Sequence, residues 1–243
     1  MARQVEWTLI GCLVCLALAL PFGRRQRDPA ATSQSPPNPL KQTAPSLELN
    51  NETILDGLGK LNRSTTGVGF AVELPLGQTI SAKAPTLRKF QVVLASDTLA
   101  NVLDQLCALD PTFAWHQIGT EINVFPRAVE NDKTYLFNRR LDDLELKNVP
   151  DAQAAVFQAV AALPPPKEQI AIMQTGAAVN FAHPWTASFK EITVREAFDK
   201  IAEQIGRNYG WQFTGAADFR LVVFYARLGT MPTDNPGQPK PSE

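Results

Sequence analysis

The sequence predicts an α+β protein made of two tandem βαββαββ modules, each with its helices packed on small sheets. Three observations lead there. Residues 47 to 125 and 144 to 224 carry one pattern twice: LELN against LELK, DTLANVLDQL against ITVREAFDKI, and FAW against YGW. The spacing between matched positions drifts only from 95, for Thr98 and Thr193, to 99, for Phe125 and Phe224, which marks one duplicated unit of about 80 residues. Within each copy the apolar period switches between two and 3.6, so strands and one-sided helices interleave. A helix that buries a single stripe must lie against a sheet. The matched positions are mostly apolar or helix-starting, and no catalytic set recurs with them.

The first module spans residues 46 to 128. SLELN (46 to 50) alternates as a strand, and ETILDGLGKLNR places Ile54, Leu58 and Leu61 at helical spacing, with Asn50 or Asn51 as the cap. GVGFAVEL (67 to 74) and KFQVVLA (89 to 95) follow as strands joined by a proline-containing loop. Ser96 or Asp97 opens a helix whose stripe is Leu99, Val102, Leu103 and Leu106. TFAWHQ and EINVFP close the module as a hairpin.

Residues 129 to 142 read as a polar linker, and the second module spans 143 to 228. DLELK is its first strand, and DAQAAVFQAVAAL is a helix stopped by Pro164, Pro165 and Pro166. EQIAIMQ (168 to 174) and WTASF (185 to 189) are strands. Thr193 and Glu196 form a capping box ahead of the stripe Val194, Ala197, Phe198, Ile201 and Ile205. YGWQF and FRLVVFY make the closing hairpin.

At the N-terminus Arg3 precedes an apolar run from Trp7 to Phe22, with small residues near its end. It predicts a signal peptide over residues 1 to 23, or a short membrane anchor. The Pro-, Ser- and Gln-rich stretch 24 to 45 reads as a disordered tether, and 229 to 243 as a disordered tail. A formal net charge of −1 without a basic cluster argues against nucleic-acid binding. Cys12 and Cys15 lie in the apolar run, which leaves Cys107 alone, on an apolar helix face where a thiol packs as a small hydrophobe.

The order of elements, a helix after the first strand and a second helix ahead of a final hairpin, resembles the short N-terminal domain shared by secretins and TonB-dependent receptors. The residues that carry the likeness are LELNNETILDGLGKL, GVGF, LASDTLANVLDQL, FAW and INVF in the first copy. In the second they are LELK, EITVREAFDKIAEQIG, YGWQF and LVVFY. The resemblance covers most of residues 46 to 228 and rests on apolar positions. It implies a non-enzymatic module in the periplasm, or anchored to face it, that contacts an envelope or outer-membrane protein or further copies of itself. The long β-rich region that follows this domain in the family has no counterpart in the 243 residues.

Motif chemistry is sparse. His116 and His183 hold non-equivalent places, so no metal or His-based catalytic pair is expected. The sequence has no nucleophile elbow, zincin motif or phosphate-binding loop, and no cofactor is expected. The binding candidates are the aromatic loop group Phe181, His183 and Trp185, and the acidic pair Asp142 and Asp143. In an alternative reading they line a cleft between the modules for a glycan or peptide. Contact through an open sheet edge that accepts a partner strand is the leading expectation.

Overall fold

The computed structural model describes residues 38–75, 87–165, 171–172, 180–206, 209–216 and 219–225. The expected signal segment, most of the tether and the C-terminal tail lie outside the described residues. Strands and helices follow in the order β1 (Thr43–Ala44), β2 (Leu47–Thr53), α1 (Ile54–Ser64), β3 (Gly69–Glu73), β4 (Lys89–Leu94), β5 (Asp97–Thr98), α2 (Leu99–Leu109), β6 (Phe113–Ile118) and β7 (Glu121–Pro126). They continue as β8 (Arg140–Asp151), α3 (Ala152–Ala161), β9 (Ala171–Ile172), β10 (Asn180–Thr193), α4 (Val194–Ile205), β11 (Gly210–Ala216) and β12 (Phe219–Tyr225). The class is α+β, as expected.

Local chemistry explains where the helices begin. Thr53 caps α1 in a reciprocal capping box with Asp56, in place of the expected Asn50 or Asn51. Asn51 is spent on another task. It takes a left-handed φ of 58° at the break in register between Asn50 and Glu52, a conformation that asparagine tolerates better than most residues. Asn148, its counterpart in the second copy, does the same with φ 50°. Thr98 caps α2, because Asp97 pairs with Ala44 and the Ser96 hydroxyl donates to the Ala44 carbonyl at 2.8 Å. Thr193 and Glu196 form the predicted box on α4.

Two antiparallel ribbons, β2 with β4 and β8 with β10, flank a six-stranded sheet of order β6-β7-β3-β11-β12-β9. In each half a hairpin lies beside a parallel strand, β3 on β7 and β9 on β12. The halves meet where β3 runs parallel to β11, with Ala71 opposite Trp211 and Val72 opposite Gln212. The sheet thus passes without interruption from one copy into the other. Successive side chains point to opposite faces. Phe70, Val72, Ile122 and Val124 join the apolar core of the first half, while Ala71, Trp211, Phe213, Val222 and Phe224 join that of the second. The two helix pairs therefore cover opposite faces of one sheet. The hairpin registers set Trp115 across from Val124 and Trp211 across from Phe224, so Val124, not Phe125, is the true counterpart of Phe224.

Two stretches read as tether and linker are built into the structure. Residues 39–41 form a 3-10 turn, the backbone N–H of Leu99 donates to the Gln42 carbonyl at 2.9 Å, and Ala44 is fully buried. In the linker, Leu136–Asn138 make a 3-10 turn that inserts Phe137 among Phe198, Trp211 and Phe213, with ring centroids 4.7 to 5.5 Å apart. Polar neighbours concealed an apolar anchor. Arg139, read as linker surface, is also buried and donates to the Pro164 carbonyl.

Candidate functional site

The join between the halves is a polar clamp laid over a tight backbone contact. A Cβ placed on Gly210 would sit 2.0 Å from the Phe70 carbonyl oxygen, so β11 approaches β3 only because that side chain is missing. The Tyr225 hydroxyl donates to the same carbonyl at 2.5 Å. On the opposite face, Arg195 of α4 grips Glu73 of β3 through two nitrogens, at 2.5 and 3.0 Å. Its remaining nitrogen donates to Asn138 at 2.6 Å, and its guanidinium lies 4.8 Å from the centre of the Phe125 ring. Burial raises the Glu73 pKa despite the cation beside it.

One helical turn further along α4, Asp199 accepts from the Trp211 indole at 2.8 Å and from Asn123 of the other half at 2.9 Å. Burial pushes its carboxyl up to about 7. Glu121 is 1% exposed and neither carboxylate oxygen has a hydrogen-bond partner among the described residues. Burial, reinforced by Asp199 and Glu203, holds its pKa well above the usual range. Glu73 and Asp199 are sealed from solvent and bond across the halves, whereas Glu121 lies sealed at the same join without a partner among the described residues.

The first copy repeats the latch and leaves it open. The Trp115 indole donates to Asp104 of α2 at 2.9 Å, as Trp211 does to Asp199 in the matched positions of the second copy. In the second copy, β3 and Asn123 cover that pair. In the first copy β6 is the last strand of the sheet, and no strand pairs with its outer edge among the described residues. Beside it lies a cavity of about 340 Å³ lined by Asp104, Cys107, Ala108, Trp115 and Arg127. Burial pushes the Cys107 thiol up to about 12, so it stays protonated and packs as an apolar group. His116, on the other face of β6, is pushed down to about 4 by burial, helped by Arg195, and stays neutral.

The residues singled out in the sequence do not converge. Phe181 is buried in the core of the second half, with the Trp185 ring 5.5 Å away and Phe189 6.0 Å beyond it. These aromatics form a row along β10 that packs on the core, while His183 is exposed. Asp142 and Asp143 are exposed on β8. Asp143 pairs with Lys190, whereas Trp185 pairs with Val149, six residues further along β8. At about 3.3 Å per residue the acidic pair stands roughly 20 Å from Trp185. What the sequence reading missed is the Asp104–Trp115 edge. Its signal was present in the alignment of Asp104 with Asp199 and Trp115 with Trp211.

Comparison with known protein families, with curated proteins and with solved structures finds no match. Among the described residues no helix is long and apolar enough to cross a membrane, and no group of His, Cys, Asp and Glu has the arrangement of a metal site.

Proposed function

We propose that this chain is a non-catalytic, exported protein of the cell envelope that works by protein–protein contact. The resemblance to the periplasmic domain of secretins and TonB-dependent receptors implies this kind of work, and the apolar segment from Trp7 to Phe22 supplies the route of export. One observation carries the reading: a strand-binding edge with its Asp–Trp latch is occupied at β11 and open at β6. An unpaired edge offers a row of backbone donors and acceptors to an incoming strand, and the adjoining cavity takes a side chain from it. The glycan- or peptide-binding alternative gains no support from geometry, because its residues sit at two ends of one ribbon.

The test is covalent crosslinking of the tagged chain in its native envelope, followed by mass spectrometry of the crosslinked peptides. The proposal expects a protein joined through peptides of α2 and β6. Turnover of an envelope substrate by the purified chain, or a cytoplasmic location for a reporter fused after residue 228, would count against it.

A further inference from the structure

Glu121 begins β7 and is 1% exposed, yet neither of its carboxylate oxygens has a partner among the described residues. A buried carboxylate without a partner is so costly that such groups neutralise instead. The module itself does not require an acid there. In the second copy the hairpin register puts Leu221 at the place of Glu121, and Ala171 pairs with Leu221 as Gly69 pairs with Glu121. The same strand is built with a leucine, so the acid belongs to the join.

A Cβ on Gly69 would collide with both Glu121 oxygens and with the Tyr209 carbonyl oxygen. The glycine thus opens a notch in which a carboxyl group of the first half and a backbone carbonyl of the second lie side by side. When the acid is charged, both groups only accept hydrogen bonds; with one proton, the acid becomes a donor. We propose that Glu121 is a proton lock on the join: as a neutral carboxyl group it donates to the Tyr209 carbonyl, and its ionisation loosens β11 from β3.

The surroundings favour the neutral form. α4 presents Asp199, Lys200 and Glu203 to Glu121, and burial together with the two acids outweighs the lysine. β12 presents Tyr225, whose phenol Glu121 holds further from ionisation. Gly69 on β3 and Ile118 on β6, the strand partners of Glu121, carry no charge. Asp199 itself feels Arg195 and Glu73. The folded pKa of Glu121 lies above the unfolded one, so the lock is complete below the unfolded value of about 4 and is lost as pH rises through the folded value. The proton then passes to solvent and leaves a charge beside a carbonyl and two acids. A loosened β11 uncovers an edge with its own Asp199–Trp211 pair, as β6 shows Asp104–Trp115. That this second edge docks a partner strand rests on the contact reading above; the lock itself does not.

The experiment joins two measurements on the full chain in mild non-ionic detergent. The infrared difference spectrum of wild type minus Glu121→Gln at pH 6 in D2O carries the C=O stretch of a protonated carboxyl group. Hydrogen exchange from pH 6 to pH 9, expressed as protection factors, shows β3 and β11 losing protection relative to β2 and β4, by up to about tenfold per pH unit for each proton released. Glu121→Gln reduces that slope, because its carboxamide still donates to the carbonyl and does not titrate. Asp199→Asn keeps the share that belongs to Glu121. Glu121→Leu, which copies the matched residue of the second module, is less protected than wild type at pH 6 and also has the reduced slope; it stands in if Glu121→Gln does not fold by circular dichroism.

Three results overturn the proposal: a difference spectrum with a carboxylate band and no protonated carboxyl, a slope equal in wild type and Glu121→Gln, or a loss of protection shared equally by β2 and β4. A join that proves insensitive to pH in a chain whose β6 peptides still crosslink to an envelope protein removes the lock and leaves the contact reading standing. A protonated Glu121 with the expected slopes, in a chain that crosslinks to nothing, does the reverse.

Discussion

Arg195 is the residue on which the second half's grip on the first depends. It is 5% exposed and neutralises Glu73, which is 1% exposed. Replacing one member of a buried, hydrogen-bonded ion pair leaves a bare charge, at a cost of about 3 to 5 kcal/mol. Arg195→Met should therefore lower the denaturation midpoint strongly, and adding Glu73→Gln should recover much of the loss; urea melts of the single and double variants check this. The buried acids make a second prediction. Asp199 and Glu121 have folded pKa values above their unfolded values, so the native state holds more protons than the unfolded chain between the two values. Stability is then greatest below the unfolded pKa of about 4 and declines as pH rises through the folded pKa of about 7 for Asp199. Glu121→Gln should flatten that decline and raise the melting temperature at pH 8 relative to wild type; thermal melts at pH 5 and pH 8 read both effects. An unchanged pH profile would remove Glu121 as a contributor.

At the scale of elements, the repeat is written into backbone positions as much as into apolar ones. Asn51 and Asn148 are exposed and share a left-handed bulge, which a β-branched residue occupies only with a strain of about 1 to 2 kcal/mol. Asn51→Val should destabilise by that amount and Asn51→Gly by much less, as measured by chemical denaturation. The helix stripes and the Thr193–Glu196 box were legible because they depend on neighbours within one turn of chain. The caps at Thr53 and Thr98 were misplaced by one to three residues because the bulge at Asn51 and the short pair of β1 with β5 are made with residues distant in sequence. Phe137 was hidden for a similar reason. Its neighbours Asn138 and Arg139 are polar but spend their hydrogen bonds inside the fold, and nothing local announces that. The site lay further from view still, since Asp104 and Trp115 acquire meaning only once β3 is seen lying on β11.

At the largest scale the described residues build a six-stranded sheet flanked by antiparallel ribbons, with two helix pairs on its opposite faces and an edge contact that is made at β11 and left open at β6. Gly210 is the hinge of that account. Gly210→Ala forces a methyl against the Phe70 carbonyl, and such overpacking costs about 1 to 3 kcal/mol. If the join works as described, the loss concentrates at β3 and β11: hydrogen exchange should speed up along those strands while β2 and β4 keep their protection. The central claim, that the outer edge of β6 is the working surface, is tested most directly by photocrosslinking in the native envelope. A photoreactive side chain is placed at the half-exposed Gln117 on β6 or, as control, at the exposed Glu145 on β8. The account predicts a discrete protein adduct from position 117 that Ala108→Arg abolishes, and none from position 145. Equal adducts from both positions, or none from position 117, would contradict it.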